Sequence, residues 1–429
     1  MSLRVLVIGG GGREHALAWR LARDPDVGEV LAAPGNPGIA AEARCVPLEP
    51  TDVDAVADLA EREGVDLVVV GPEAPLVAGL ADALRARGVP TFGPGRDGAR
   101  LEGSKAWAKA LCERHGIPTG RARAVTSVAD GVRALEELGP PYVVKADGLA
   151  AGKGVVVTED RDRAVQALED CLLRGAFGRA GATVLVEEHL EGREVSAFAL
   201  TDGRRVVPLG MAQDFKRALD GDAGPNTGGM GAYSPVPFVD GATARAIWEG
   251  VLARTAEALH AEGVAYRGVI YAGLMLTAEG PRVLEFNCRF GDPEAQVLMP
   301  RVRGPLARTL LACARGDLEG VGVELDGGAC VTVVAASGGY PRPHETGFEI
   351  EGLEEAARVA GAVVFHAGTA LRDGRVVTAG GRVLAVSGLG DTIGQARAVA
   401  YEALARIRFR GMHHRSDIAA AAAAEGGAA

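Results

Sequence analysis

The first hundred residues alternate short apolar runs with helical segments, and this alternation limits the fold more than any other feature of the chain. Helical patterns lie at 13–23 and 52–63. The apolar runs are RVLVI (4–8), EVLAA (29–33) and DLVVVGPE (66–73). Continuous apolar strands separated by helices are typical of a parallel sheet that is buried on both faces. We therefore expect an α/β fold that begins with a doubly wound domain over residues 1–100.

After residue 100 the pattern becomes α+β, with hairpins in place of strand–helix repeats. Antiparallel hairpins are predicted over 193–210 and 268–291, each with its turn at an acidic residue followed by glycine. Further strand-like runs and a helical pattern indicate a small mixed α/β domain at 326–418. The alanine-rich segment 419–429 is expected to be a flexible tail.

The composition is that of a folded globular protein. The chain has 429 residues, an apolar fraction of 48% and a net charge of −10, which suggest about three domains and argue against broad nucleic-acid binding. The six cysteines form no CxxC pair, so reduced thiols in a cytoplasmic protein are the simplest interpretation. We expect no membrane association, because no apolar run reaches the roughly 18 residues that a membrane helix needs.

The glycine-rich turn GGGGREH (9–15) lies between a predicted strand and a predicted helix. This position suits an anion, because free N–H groups and the helix dipole point outward at a helix N-terminus. The turn does not match a dinucleotide fingerprint, since Glu14 or His15 takes the place of the third glycine. We therefore expect phosphate or sugar binding rather than a nicotinamide dehydrogenase, and a turn without ligand is the alternative.

A second glycine-rich segment, KADGLAAGKGVVV (145–157), predicts a hairpin tip with Lys153 at its apex. It is not a P-loop, because a valine strand follows where a P-loop has a helix. Backbone N–H groups and a lysine in such a tip can hold phosphates, and a hairpin with a solvated lysine is the alternative. Lys145 lies in an otherwise apolar strand and therefore needs an anionic partner.

The segment VLEFNCRFGDPEAQ (283–296) carries the most specific signal. On a strand, Glu285 and Asn287 project to one face, and two oxygen ligands with this spacing suit Mg²⁺. Arg289 continues that face if the strand persists, and its guanidinium can hold a carboxylate in bidentate fashion. The alternative is the polar face of an edge strand, and for Asp292 a structural role in a turn stays open.

Two glutamates in VLVEEHLEGREVS (184–196), Glu187 and Glu194, lie near predicted strand ends. Such glutamates can accept hydrogen bonds from an adenine amino group and ribose hydroxyls, although surface glutamates would show the same spacing. The polar loop 213–234 has Asp214 and Lys216 at its entry and is long enough to be functional.

Taken in order, seven segments resemble the phosphoribosylamine–glycine ligases (glycinamide ribonucleotide synthetases) of the ATP-grasp superfamily. These segments are GGGGREHALAW, GPEAPL, LEGSKA, KADGLAAGKGV, GPNTGGMGAYSP, YAGLM and EFNCRFGDPE. The resemblance covers residues 3 to about 418. It implies a pre-ATP-grasp N domain at 1–100, an ATP-grasp body at 101–325 with a mobile lid at about 121–190, and a C-terminal domain at 326–418.

The resemblance also implies a reaction. ATP, glycine and 5-phosphoribosylamine would give glycinamide ribonucleotide, ADP and phosphate in purine biosynthesis, through a glycyl phosphate. The expected partners are these small molecules, with no nucleic acid, no membrane and a transient contact with the upstream amidotransferase. A cytoplasmic monomer is expected.

Residue roles follow from the matched motifs. The expected phosphate grip is Lys105, Lys145, Gly152, Lys153 and Gly154. Adenosine contacts are expected from Glu187 and Glu194, and Mg²⁺ or Mn²⁺ ligands from Glu285 and Asn287. The phosphoribosyl part is expected at Gly10, Gly12, Arg13 and Glu73, with Arg382 as an extra phosphate contact. Residues expected to act in catalysis are Arg289, Asp214, Lys145, Lys153 and Asp292, of which Asp214, Arg289 and Asp292 would surround glycine.

Two departures from the family pattern stand out. Phe215 takes the place of a histidine that usually precedes the lysine, and poly-alanine follows Asp417-Ile418 where the family continues with glycine. Two alternatives share the phosphate and metal motifs and stay open. One is another ATP-grasp carboxylase or carboxylate–amine ligase, and the other is a nucleotide-binding regulatory module without turnover.

Overall fold

The computed structural model describes residues 2–149 and 154–425. Its first unit is a five-stranded parallel sheet with strand order β3-β2-β1-β4-β5 and helices on both faces. The elements are β1 Leu3–Gly9, α1 Gly12–Ala22, β2 Val27–Pro34, β3 Arg44–Cys45, α2 Val53–Arg62, β4 Leu67–Val70, α3 Glu73–Ala78, α4 Leu80–Ala86, β5 Thr91–Phe92 and α5 Arg96–Gly103. The predicted doubly wound unit is confirmed, because its strands are buried apolar runs that only a two-sided helical cover can shield.

The next unit, which we call the lid, is a four-stranded antiparallel sheet of order β6-β9-β7-β8. Helix α6 precedes it, and α7 and α8 cover it with a small core of their own. The elements are α6 Lys105–His115, β6 Ala122–Val125, α7 Val128–Leu138, β7 Tyr142–Ala146, β8 Val155–Thr158, α8 Arg161–Leu172 and β9 Val184–Glu187. The glycine-rich segment joins β7 to β8, and its residues Gly152 and Lys153 lie outside the described residues.

The body contains both predicted hairpins. Thr201 pairs with Val206 across the first, and Thr277 pairs with Gly280 across the second. The elements are β10 Arg193–Thr201, β11 Val206–Asp214, β12 Arg217–Leu219, β13 Ala223–Asn226, β14 Gly231–Ser234, α9 Gly241–Ile247, α10 Arg254–Ala261, β15 Gly268–Thr277, β16 Gly280–Asn287, α11 Ala295–Leu298, β17 Val302–Arg303, α12 Leu306–Arg315 and β18 Glu324–Leu325. The polar loop 213–234 is thus partly ordered, since β12 and β13 pair within it.

The C-terminal part shares its sheet with the body. Strand β14 pairs with the first C-terminal strand, and the resulting eight-stranded sheet has the order β16-β15-β10-β11-β14-β19-β23-β20. The elements are β19 Ala329–Ala336, α13 Leu353–Ala357, β20 Ala362–His366, β21 Thr369–Arg372, β22 Arg375–Thr378, β23 Arg382–Gly390, α14 Ile393–Leu404 and α15 Ala420–Glu425. No helix within 2–149 or 154–425 is long and apolar enough to cross a membrane.

The prediction of a flexible tail over 419–429 is wrong for residues 419–425. Residues 420–425 form α15, and Ile418, Ala419 and Ala422 are buried in the core of the C-terminal part. Alanine has the highest helix propensity, and its small side chain fits against the neighbouring helix α14.

The N-terminal unit is joined to the C-terminal part by two buried histidines. The backbone N–H of His366 donates to Nδ1 of His15 at 2.7 Å, and Asn36 Nδ2 donates to the carbonyls of Gly10 and His366. Burial, reinforced by the neighbouring His366, lowers the pKa of His15 to about 3. Burial alone lowers the pKa of His366 to about 4. Both rings are therefore neutral in the folded protein at neutral pH.

This junction predicts a loss of stability in acid. Because His15 stays neutral when folded but binds a proton near pH 6.5 when unfolded, stability falls as the pH drops from about 6.5 toward 3. Between pH 7.5 and 5 this one group should cost about 2 kcal/mol. The urea midpoint of His15→Gln should therefore fall less over this range than that of the unmodified protein. His260→Gln, at an exposed histidine, is the control. Parallel curves for all three proteins would contradict this assignment.

Candidate active site

One face of the eight-stranded sheet is rich in polar side chains. Cross-strand pairing aligns Glu285 with Gly273, Gly273 with Ser196 and Ser196 with Ala212. Side chains alternate along each strand, so the residues two positions away share this face. The polar members of the face are Glu194, Ser196, Asp214, Tyr271, Glu285 and Asn287. The sheet therefore brings together two proposed metal ligands, one adenosine contact and one glycine contact.

Glu285 and Asn287 lie side by side near the end of β16, as their alternation predicts. Neither side chain has a hydrogen-bond partner among residues 2–149 and 154–425, and Asn287 is only 8% exposed. The described residues hold no group of three or more His, Cys, Asp or Glu side chains arranged around a metal. Two oxygen ligands fit Mg²⁺ or Mn²⁺ bound jointly by protein, phosphates and water, and do not fit a complete protein cage.

Lys216 lies between two carboxylates on this face. Its Nζ contacts Glu194 Oε2 and lies 3.2 Å from Asp214 Oδ1. Burial raises the pKa of Asp214 to about 7, and the nearby Glu294 and Glu194 add to this rise although Lys216 opposes it. The two carboxylates in turn raise the pKa of Lys216 well above its usual value although burial opposes this, so Lys216 stays charged beside Asp214.

Arg289 does not continue the face of β16, so this expectation is wrong. The strand ends at Asn287 because the next backbone N–H, that of Cys288, donates to Glu102 Oε2 at 2.9 Å. Arg289 Nε lies 3.2 Å from Glu73 Oε2, and Nη2 lies 2.8 Å from Glu102 Oε1. Burial raises the pKa of Glu102, with Arg289 opposing it. A guanidinium has five N–H groups, and a third contact goes to Phe290 O, so two donors remain for a ligand.

The N-terminal turn is packed tightly against its surroundings. A side chain at Gly10 would clash with the carbonyl of Gly35, and one at Gly12 would lie 2.6 Å from Gln296 Nε2. Arg13 Nε pairs with Glu14 Oε1 at 2.6 Å. The two glycines therefore have a packing role in addition to any role in binding.

Asp292 connects the body with the C-terminal part. Its carboxylate lies 3.1 Å from Arg382 Nη2 and accepts from Gln296 Nε2 at 2.8 Å. Arg382 Nη1 also donates to the carbonyls of Gly228 and Asp292, each at 2.7 Å. Burial alone would raise the pKa of Asp292, but Arg382 and Arg13 outweigh it and lower that pKa. Asp292 therefore has a structural role, which the sequence had left open, because it holds Arg382 and Gln296.

Lys145 has the anionic partner that its apolar strand requires. Its Nζ donates to Glu187 Oε2 at 3.0 Å and to the backbone carbonyl of Leu284 at 3.3 Å. Lys105 Nζ donates to Gly148 O at 3.2 Å, at the base of the glycine-rich segment. Gly154 immediately precedes the return strand β8, and its carbonyl accepts from Ala146 N. Lys145 thus reaches the strand that carries the proposed metal ligands, next to Glu285.

Phe215 has a packing role that a histidine could not fill in the same way. Its ring packs against the C-terminal core, and the guanidinium of Arg415 lies 5.0 Å from its centroid. Arg415 is 1% exposed and pairs with Asp222 and Asp417. An apolar ring suits this buried cation–π contact.

Lys109 is a site residue that the sequence motifs missed, and Lys216 was noted only as part of a loop. One feature of the sequence, its sparing use of lysine, could have indicated both Lys109 and Lys216. The chain has 46 basic residues, of which only five are lysines, namely Lys105, Lys109, Lys145, Lys153 and Lys216. Arginine occupies the other 41 basic positions, so the few lysines stand out in the sequence as candidate functional positions. Lys109 Nζ lies 3.0 Å from Glu187 Oε2, in contact with the same carboxylate as Lys145.

Comparison with known proteins agrees with this geometry. The phosphoribosylglycinamide synthetase N domain, ATP-grasp (A) domain and C domain match residues 3–102, 103–295 and 330–421. A phosphoribosylamine–glycine ligase of Streptomyces coelicolor is 51% identical over 424 residues, covering 98% of this chain and 100% of the relative. The chain belongs to the phosphoribosylamine–glycine ligase family. The relative from Rhizobium meliloti is 49% identical over 416 residues, covering 97% of this chain and 98% of its own length.

Solved structures separate family from fold. A phosphoribosylamine–glycine ligase from Thermotoga maritima is 35% identical with a TM-score of 0.85, covering 97% of this chain and 100% of that one. The biotin carboxylase domain of Hydrogenobacter thermophilus 2-oxoglutarate carboxylase is 18% identical with a TM-score of 0.72, covering 96% and 92%. The carboxylase domain therefore shares only its fold with this chain, whereas the Thermotoga maritima enzyme also belongs to the same family.

The predicted enzyme class and activity are therefore confirmed. The chain is an ATP-dependent ligase that joins glycine to phosphoribosylamine in purine biosynthesis. These comparisons favour a phosphoribosylamine–glycine ligase over both alternatives, another ATP-grasp carboxylase or ligase and a regulatory module without turnover.

Proposed function

We propose that the ligation proceeds through glycyl phosphate, formed on the polar face of the eight-stranded sheet. A carboxylate is a poor acyl donor, because its leaving group would be oxide. Transfer of the γ-phosphoryl group of ATP to a glycine carboxylate oxygen gives an acyl phosphate and ADP. The amine of phosphoribosylamine then attacks the acyl carbon, the C–O bond to phosphate breaks, and the nitrogen loses a proton.

The observation that carries this proposal is the contact of Lys145 with the carbonyl of Leu284, the residue before Glu285. It places a cation of the lid beside the proposed metal ligands. Glu285 and Asn287 would hold Mg²⁺ or Mn²⁺, which would neutralise charge on the transferring phosphoryl group. Lys105, Lys145 and Lys153 would hold the phosphates of ATP, with Gly152 and Gly154 allowing a close backbone approach.

Glycine would lie between Asp214 and Arg289. The carboxylate of Asp214 would hold the ammonium group, and the two free donors of Arg289 would hold the carboxylate in line for transfer. Glu187 and Glu194 would accept hydrogen bonds from adenosine. Gly10, Gly12, Arg13, Glu73 and Arg382 would surround the phosphoribosyl part, with Asp292 supporting Arg382. We also infer a cytoplasmic monomer with a transient contact to the upstream amidotransferase.

The fate of the glycine oxygen tests the intermediate. With glycine labelled by ¹⁸O in both carboxylate oxygens, each released phosphate should carry one labelled oxygen, because the acyl C–O bond breaks. Mass spectrometry of the phosphate measures this. ADP formation should require glycine and phosphoribosylamine together for its full rate. Unlabelled phosphate, or equal turnover with bicarbonate in place of glycine, would contradict the proposal.

A further inference from the structure

Lys109 holds a buried ammonium group among three acceptors. Its Nζ lies 2.8 Å from Thr119 Oγ1, 3.0 Å from Glu187 Oε2 and 3.4 Å from Gly120 O. An ammonium group has three N–H donors, so each donor has one acceptor. The side chain is 8% exposed and comes from α6, outside the lid sheet. Lys109 is therefore a fixed cation.

Lys145 is bound less completely. It shares Glu187 Oε2 with Lys109 at 3.0 Å and has one further acceptor, Leu284 O. One of its donors remains without a partner in the described part of the chain. Lys145 is thus the cation that can turn toward phosphates, while Lys109 cannot do so without losing its tripod of contacts.

Glu187 has one oxygen in use and one free. Oε2 contacts both lysines, whereas Oε1 is buried and has no hydrogen-bond donor among the described residues. A buried carboxylate oxygen without a donor is costly, so this atom is available for a donor on a ligand. The amino group of adenine is a donor of this kind.

We propose that Lys109 is a positioning residue that keeps Glu187 ionised and in place for the base of ATP while Lys145 engages the phosphates. This inference rests on the proposed function, in which Lys145 binds phosphate and Glu187 binds adenosine. If Lys145 left Glu187 and no second cation were present, a buried charge would lose its partner. Lys109 removes this conflict, so base recognition and phosphate binding do not compete for one lysine.

The retention of lysine supports this role. The chain uses arginine at 41 of its 46 basic positions, and an exposed ion pair would accept arginine equally well. A planar guanidinium cannot offer three donors from one point, as the contacts to Thr119, Gly120 and Glu187 require. The position therefore demands a compact ammonium group.

Nucleotide preference tests the proposal. ITP carries a carbonyl oxygen in place of the adenine amino group, so the unmodified enzyme should prefer ATP in kcat/KM. In Lys109→Met this ATP-to-ITP preference should fall at least tenfold, with a raised KM for ATP and a glycine KM within twofold of normal. Lys109→Arg should recover only part of the preference. Arg121→Met removes the cation beside the neighbouring Glu188 and should leave the preference unchanged.

The outcomes separate this inference from the proposed function. An unchanged ATP-to-ITP preference in Lys109→Met with a normal melting temperature overturns the role of Lys109. If Lys109→Met does not fold, Thr119→Val decides, since it removes one acceptor and should lower the preference in the same direction. An unchanged preference there also overturns the role. If Glu187→Gln leaves the preference unchanged while glycine-dependent turnover persists, it is the adenosine contact that fails.

Discussion

Replacing Glu285 by glutamine is expected to lower kcat by about a thousandfold, or about 4 kcal/mol in the activation barrier. Glu285 is the only charged member of the proposed metal pair, and glutamine keeps its shape while removing the charge. The fold should survive, because the side chain makes no hydrogen bond within the described residues and is partly exposed. Steady-state rates at saturating Mg²⁺ measure the effect, with circular dichroism to monitor the fold.

Glu279→Gln is the matched control for this change. Glu279 lies at the turn of the same hairpin, is exposed and pairs with Arg282. Glu279→Gln should keep kcat within about twofold of the normal value, because an exposed ion pair contributes little to stability. If Glu285→Gln kept more than about a tenth of the normal rate, a loss of under ~1.4 kcal/mol, the metal-ligand assignment would be wrong.

Replacing Arg289 by methionine should damage both stability and activity. The change leaves Glu73 and the buried Glu102 without their shared cation, which is expected to cost about 3–5 kcal/mol in the free energy of unfolding. The kcat/KM for glycine should fall by at least about a thousandfold, because the carboxylate loses a bidentate partner. Chemical unfolding and initial rates measure the two effects separately.

A double variant distinguishes the two roles of Arg289. Arg289→Met combined with Glu102→Gln removes the more deeply buried of the two orphaned charges and should recover most of the stability, but not the activity. Arg282→Met, at a more exposed position on β16, should change stability by less than about 1 kcal/mol. Recovery of activity together with stability in the double variant would show that Arg289 only supports the fold.

Local patterns predicted what depends on neighbours in sequence. The apolar runs located the parallel strands, and strand alternation placed Glu285 and Asn287 on one face. The need of Lys145 for an anion was predictable, but its partner Glu187 was not, because the pairing of β7 with β9 decides which carboxylate it meets. Arg289 was misplaced for a similar reason. Glu102, far away in sequence, takes the backbone N–H of Cys288 and ends the strand.

The sheet that the body shares with the C-terminal part was not predicted either. The alternation in each strand shows which face is buried but not which strand lies beside it. The pairing of β14 with β19 joins residues about a hundred positions apart, and the sequence between them contains four further strands of the body, β15 to β18. The predicted domain boundary at residue 326 therefore falls just before β19, a strand of the sheet that the body and the C-terminal part share.

This sheet ties the C-terminal part to the body more firmly than the lid is tied to either. For the C-terminal part to swing away from the body, the ladder between β14 and β19, four residue pairs from Gly231–Val333 to Ser234–Cys330, would have to break. Within residues 2–149 and 154–425 the lid shares no ladder with that sheet. It is attached by its chain connections, by side-chain contacts such as Lys145 to Leu284 O and Arg282 to Glu188, and by the bridge of Thr119 to Val283. Separating the C-terminal part from the body would therefore break a whole β-ladder, whereas displacing the lid sheet would break only side-chain contacts and one bridge.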